Sequence, residues 1–69
     1  MSNHVYSVSE IVGSSPEGID AAIRNAITTT ARSVRNLDWF EITEIRGHLV
    51  DGDVADWQVG VKVGFRVES

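Results

Sequence analysis

The cleanest pattern in the chain is an alternation that runs from Val54 to Val67. Ala55, Trp57, Val59, Val61, Val63, Phe65 and Val67 alternate there with Asp56, Gln58, Gly60, Lys62, Gly64, Arg66 and Glu68. A period of two with one apolar face throughout predicts a strand, and a strand so apolar belongs in the middle of a sheet. Val5 to Val12 predicts another strand, with Tyr6, Val8 and Val12 on one face and Val5, Ser7, Ser9 and Ile11 on the other. Glu10 interrupts the first of these faces, so the segment alone does not say which side meets the core, and Gly13 is expected to end it. The run Ser14-Ser15-Pro16-Glu17 predicts a helix start: serine caps N–H groups, proline suits the first helical position and Glu17 complements the dipole. Ile19, Ala22, Ile23, Ala26, Ile27, Thr30 and Val34 then recur at helical spacing, while Asp20, Arg24, Thr28, Arg32 and Arg35 point elsewhere. Arg32 and Arg35 fall in the expected last turn, where cations complement the helix dipole.

A further strand is predicted from Asp38 to Val50, but its phase slips. Phe40 and Ile42 share one face, whereas Ile45 and Leu49 belong to the other. Either a bulge re-aims the side chains, or the two ends sit in different environments, as in an oligomer where each end meets a different neighbour. Asp51-Gly52 then predicts a two-residue hairpin turn, because both central positions of that turn need positive φ. Together these elements predict an α+β chain of order β-α-β-β. The third strand is flanked by the first and second in an antiparallel sheet, with one amphipathic helix on one face.

Extending the register from that turn sets Phe40 against Val63, Glu41 against Lys62 and Ile42 against Val61. It also puts Trp39 opposite Gly64 on the face away from the helix, Gly60 opposite Thr43 and Gln58 opposite Ile45. Trp39 is thus either a packing anchor at an interface or a flat platform for a flat ligand. Gln58 shares its face, with an amide able to donate and accept, but strand spacing sets it roughly 20 Å away. If both belong to one site, different subunits must supply them.

Composition narrows the classes. The chain has 69 residues, no cysteine and one proline, which fits one small globular domain over residues 1–69 and excludes a disulfide scaffold or a thiolate metal site. A domain of this size buries only roughly 60% of its unfolded surface, so self-association is the expected stabiliser. The net charge of −4 with only six scattered Lys and Arg argues against nucleic acid. With no apolar run long enough to span a bilayer and no leader-like pattern, no membrane partner and a cytoplasmic location are expected. Glu41 and Glu44 are expected on opposite faces of their strand and so form no acid–base pair, and no nucleophile triad or phosphate-loop spacing is present. His48 with Asp51, Asp53 and Asp56 has the chemistry of a divalent-cation site, but an Asp-rich turn is ordinary turn chemistry. No catalytic and no metal residue is assigned.

The segments Tyr6 to Gly13, Ser15 to Gly18, Leu37 to Glu41, Ile45 to Gly47, Gln58 to Val59 and Val63 to Arg66 together resemble the dodecin family in order and spacing. The resemblance implies a hollow homododecamer built from trimers that binds oxidised flavin, FMN or riboflavin, in stacked pairs between symmetry-related tryptophans. It implies storage and photoprotection rather than catalysis. The family's stacking tryptophan matches Trp39 and its glutamine at the isoalloxazine edge matches Gln58; Arg46 falls where family members place a side chain near the flavin. Arg66 and Arg35 are candidates for phosphate contacts, Val5 and Ser7 for the entrance, and coenzyme A is raised as a second ligand. Trp57, on the apolar face, is expected in the core or at a subunit contact. The alternatives are a flavin-dependent reductase or carrier enzyme, and a ligand-free structural oligomer.

Overall fold

The computed structural model describes residues 3–67. The elements follow in the order β1 (Val5–Ser15), α1 (Ile19–Ala31), β2 (Leu37–Val50) and β3 (Asp53–Val67). They form a three-stranded antiparallel sheet of order β1-β3-β2, with the helix on one face. This is the α+β, β-α-β-β arrangement expected, with β3 in the centre.

The core is small. Ala22 and Ala26 of α1 pack on Val59, Val61 and Val63 of β3, and Ile11, Ile19, Ile23, Ile27, Leu37 and Ile42 close around them. Alanine on the helix lets its backbone approach the sheet closely. That approach explains why β1 does not end at Gly13, as the sequence suggested, but runs to Ser15. Gly13 pairs with Val59, and a Cβ there would collide with the Ala22 carbonyl oxygen and the Ala26 side chain. Glycine here admits the helix rather than breaking the strand.

Both helix ends also differ from expectation. The serines do not cap α1: Ser15 Oγ accepts a hydrogen bond from the Glu17 N–H at 3.0 Å, forming a turn ahead of the helix. The cap position falls to Gly18, whose φ of 152° suits glycine, and its carbonyl accepts the Ala22 N–H at 3.1 Å. At the other end α1 stops at Ala31, with Arg32 as its cap residue, so Val34 and Arg35 lie beyond the last turn. Short-range bonds from Arg32 and Ser33 to Thr29 and Thr30 tighten the exit. Asn36, at φ 64°, then turns the chain into β2.

The β2–β3 hairpin closes through Asp51 (φ 52°) and Gly52 (φ 76°), the turn expected for this dipeptide. Its register shifts between Leu37 and Trp39, between Ile42 and Glu44, and between His48 and Leu49. The middle shift resolves the slip of phase in favour of a bulge. Ile45 rejoins Phe40 and Ile42 on the helix side, opposite Val59, instead of lying on the far face. Consequently Gln58 faces Arg46, not Ile45, and Gly60 faces Glu44, not Thr43. The helix packs mainly on β1 and β3; Phe40 and Ile45 of β2 are about half exposed and the apolar tip residues Leu49, Val50 and Val54 lie open. The molecule is long and thin, 55 × 20 × 14 Å.

Candidate functional site

Trp39 owes its position to the first register shift. Leu37 and Trp39 are two apart and would share a face in a regular strand. The irregularity at Asp38 separates them: Leu37 turns in against the core, and Trp39, opposite Gly64, turns out. Its indole lies across Gly64 so closely that a Cβ there would overlap Cε2, Cζ2 and Nε1 of the ring. Trp39 remains 40% exposed.

From the other side of β3, Tyr6 of β1 approaches the same indole, with ring centroids 6.5 Å apart and planes at 57°. His4 meets Tyr6 edge-on at 6.5 Å. A hydrogen bond to the Asp38 carboxylate raises the Tyr6 phenol's pKa above its ordinary value; burial and the carboxylate's charge add to this and Arg66 opposes it. An aromatic cluster therefore spans the outer face of all three strands at one end of the sheet. Sequence reasoning placed Gly64 beneath Trp39 but missed Tyr6 and Asp38. The available signal was register: Val8 pairs with Gly64, so Tyr6, on Val8's face, stands beside the gap that Gly64 leaves.

Further along the outer face Arg46 Nε donates to Gln58 Oε1 at 2.9 Å, and Nη1 donates to Glu44 Oε1 at 3.4 Å. The guanidinium thereby ties down the amide oxygen and leaves the amide N–H₂ as the group's donor end. Arg46 and Gln58 are brought together, as neither spacing nor the expected register indicated. Trp39 and Gln58 are not: their cross-strand positions on β3, Gly64 and Gln58, are six residues apart, which is roughly 20 Å.

Glu41 and Glu44 share this outer face, opposite Lys62 and Gly60, because the bulge between them reverses the expected orientation. Glu44 pairs with Arg46, and Glu41 lies across from Lys62 in the register. Arg35 and Arg66 come together in a cleft of about 460 Å³ with Ser33, Val34, Asn36 and Phe65, and Arg66 also borders Asp38. Val5 and Ser7 pair with Val67 and Phe65 and so share the helix-side face of the sheet, away from Trp39 within one chain. Trp57 is half-buried on that face too, opposite Gly47.

His48 Nδ1 stands 3.3 Å from Asp56 Oδ1 but off hydrogen-bond geometry, and that oxygen, though shielded from solvent, has no hydrogen-bond partner among the described residues. No group of three or more His, Cys, Asp or Glu among the described residues is arranged to hold a metal ion. No helix among them is long and apolar enough to cross a membrane.

Comparison with known proteins gives one answer across the chain. The Dodecin family profile matches residues 5–68. The dodecin of Thermus thermophilus is 47% identical over 65 residues, 94% of each chain. Among solved structures, the dodecin of Streptomyces davaonensis superposes with a TM-score of 0.94 at 57% identity, covering 99% of this chain and all of that one (100%). The dodecin of Streptomyces coelicolor superposes with a TM-score of 0.94 at 58% identity, over 100% of this chain and 99% of its own. With this sequence match spanning nearly every described residue and the same fold throughout, the chain belongs to the dodecin family.

Proposed function

We propose that this chain, acting as one unit over residues 1–69, stores oxidised flavin, FMN or riboflavin, and protects it from light. Flavin pairs stack between Trp39 side chains of neighbouring copies in a hollow dodecamer built from trimers. The observation that carries this reading is the indole lying across Gly64 on the solvent face, positioned by a strand irregularity rather than by the core. A flat, electron-rich ring in the open suits a flat, electron-poor one. Such stacking is worth about 1–3 kcal/mol per ring by analogy with bases on aromatic side chains, and pairing across a symmetry axis doubles it.

The separation of Trp39 and Gln58 supports a shared site, in which one copy supplies the platform and another supplies the Gln58 amide to a carbonyl at the flavin's edge. Arg46 fixes that amide's orientation from beside it. Arg35 and Arg66, converging on one cleft, are the candidates for a ribityl phosphate. Val5 and Ser7 line the entrance only in the assembly. Coenzyme A finds no support in the described residues and is not part of this reading. Of the outer-face glutamates, Glu44 is paired with Arg46 and Glu10 and Glu41 both lie across from Lys62; the function in this reading is binding, in the cytoplasm, without turnover. A half-covered sheet face and an apolar hairpin tip supply the surfaces for self-association.

The test is direct. Protein purified with FMN is expected to be yellow, to quench the flavin's fluorescence until denatured, and to elute at a dodecamer's mass. Trp39→Ala is expected to keep that mass and lose the flavin. Unquenched, unbound FMN with wild-type protein would overturn the reading and favour a ligand-free structural oligomer, and NADH-driven flavin turnover would favour an enzyme.

A further inference from the structure

We propose that Tyr6 is a positioning residue for Trp39: reaching from β1 across the side-chain-free Gly64, its ring braces the indole of β2 and sets the plane that the indole offers to a flat ligand. As a statement about flavin binding, this rests on the function proposed above. As a statement about the indole, it stands on geometry alone.

Trp39 follows a register shift, so its backbone lacks the regular ladder that fixes side-chain direction along a strand. Gly64 limits the indole from below but, having no side chain, does nothing to stop it swinging sideways. β1 closes that side. Its outer-face residues Tyr6 and Val8 pair with Arg66 and Gly64, and the Tyr6 ring stands 6.5 Å from the indole at 57°, within the range of favourable tilted aromatic pairs.

Tyr6 is itself restrained at both ends. The carboxylate of Asp38, the residue next to Trp39 and at the irregularity, acts on its phenol and raises the phenol's pKa. Its ring meets His4 edge-on. The ring contact runs from β1 back to Trp39, and the Asp38 carboxylate acts on the same tyrosine from the bulge that presents the indole. Brace and platform are thus tied across the central strand, and the indole's orientation depends on a strand that contributes no stacking group.

The experiment uses the full chain labelled with fluorotryptophan, whose two indoles give separate fluorine resonances assigned with Trp39→Phe, together with FMN titrations. Tyr6→Ala is expected to shift and broaden the Trp39 resonance while leaving that of Trp57 in place. It should also weaken FMN binding about three- to tenfold, the value of one aromatic pair. Tyr6→Phe, which keeps the ring, is expected to restore most of the resonance position and affinity, and Asp38→Asn to behave like Tyr6→Phe. A Trp39 resonance unchanged in Tyr6→Ala would overturn the assignment, as would an unchanged FMN affinity in a protein that binds FMN. Failure of the wild type to bind FMN would sink the flavin reading alone, since the fluorine spectra still decide whether Tyr6 holds the indole. Should Tyr6→Ala fail to fold, Tyr6→Leu decides the same point: bulk without an aromatic face is expected to leave the resonance displaced, and a resonance in its wild-type position would overturn the assignment.

Discussion

The two tryptophans sit in matching topological positions and do opposite things. Each lies opposite a glycine of the neighbouring strand, Trp39 facing Gly64 and Trp57 facing Gly47. At Gly64 a Cβ would overlap the indole. At Gly47 the nearest atom of Trp57 would be Cε3 at 4.0 Å, ordinary van der Waals contact. Trp39 therefore uses its glycine as a bed, whereas Trp57 merely has a small neighbour. Face explains the difference. Trp57 keeps the regular parity of β3 and turns toward the helix side, where other apolar groups share its environment; Trp39 has been turned out by the irregularity at Asp38 and has only the sheet itself beneath it.

The sharpest test of that contrast is to remove each indole in turn. Trp39→Ala is expected to weaken FMN binding by up to about a hundredfold, the upper end of one aromatic stack, with thermal stability changed by less than about 0.5 kcal/mol, as at a surface site. Trp57→Ala is expected to do the reverse, costing about 1–3 kcal/mol in denaturant unfolding and leaving Trp39-dependent quenching in whatever remains folded. Equal losses of flavin in the two variants would erase the distinction between platform and packing.

Gly64→Ala comes next. The added methyl drives the indole off its bed without removing it, so FMN affinity is expected to fall about tenfold, in line with the usual cost of overpacking, while the Trp39 emission spectrum shifts. An alanine variant that binds FMN like the wild type would show that the indole lies elsewhere in the working assembly.

How much of this was legible in the sequence divides along the same line. Strands whose alternation is unbroken, β3 above all, disclosed their partners, their faces and the order of the sheet, because period two and an Asp-Gly turn fix a register outright. The register failed where β2 adds a residue: from Glu44 to His48 every partner moved by one, so Gln58 met Arg46 and Glu44 joined Glu41 on one face, and a second irregularity before Leu49 restored the expected pairing at the turn. Apolar phase signalled that a bulge existed but not where pairing resumed. Gly13 was misread because a glycine needed for close helix approach and a glycine that ends a strand look alike in one dimension. The helix ends were misread because Ser-Ser-Pro-Glu has the composition of a cap, while Gly18 holds the cap's backbone conformation. As for the site, Trp39 and Gln58 came from the resemblance and the face assignment. The Tyr6–Asp38 bracket depends on side chains crossing a central strand, which no local spacing records.

Alkaline pH offers a milder way to loosen the Trp39 side only. Tyr6 is the chain's single tyrosine, so its titration is read directly from phenolate absorbance. Its folded-state pKa lies above the ordinary 10.0, first because Asp38 accepts its hydrogen bond. The native state thus holds a proton that the unfolded chain has released, and stability falls as pH rises through that interval. The contribution is fully present below pH 10.0 and lost as pH climbs through the folded-state value. Phenolate would face the Asp38 carboxylate, with Arg66 and His4 as the other groups nearby, so the brace is expected to release and flavin fluorescence to rise in step with phenolate absorbance. Asp38→Asn is expected to bring the tyrosine titration back toward its ordinary value; a titration unmoved by that change would break the link between phenol and bulge.

The smallest effect is expected at Gly47, and it is the control that gives the comparison its meaning. Gly47→Ala adds a methyl into ordinary contact with the Asp56 carbonyl oxygen at 3.8 Å, Val54 at 3.9 Å and Trp57. Nothing need shift. Glycine inside a strand sacrifices conformational entropy and leaves no side chain to pack, so the alanine is expected to leave stability unchanged or raise it by up to about 1 kcal/mol, with FMN affinity untouched. A denaturation midpoint that falls by as much as in Trp57→Ala would mean that the Trp57 pocket is as tightly fitted as the Trp39 bed. The two glycines would then differ in which face they serve rather than in how closely an indole lies on them.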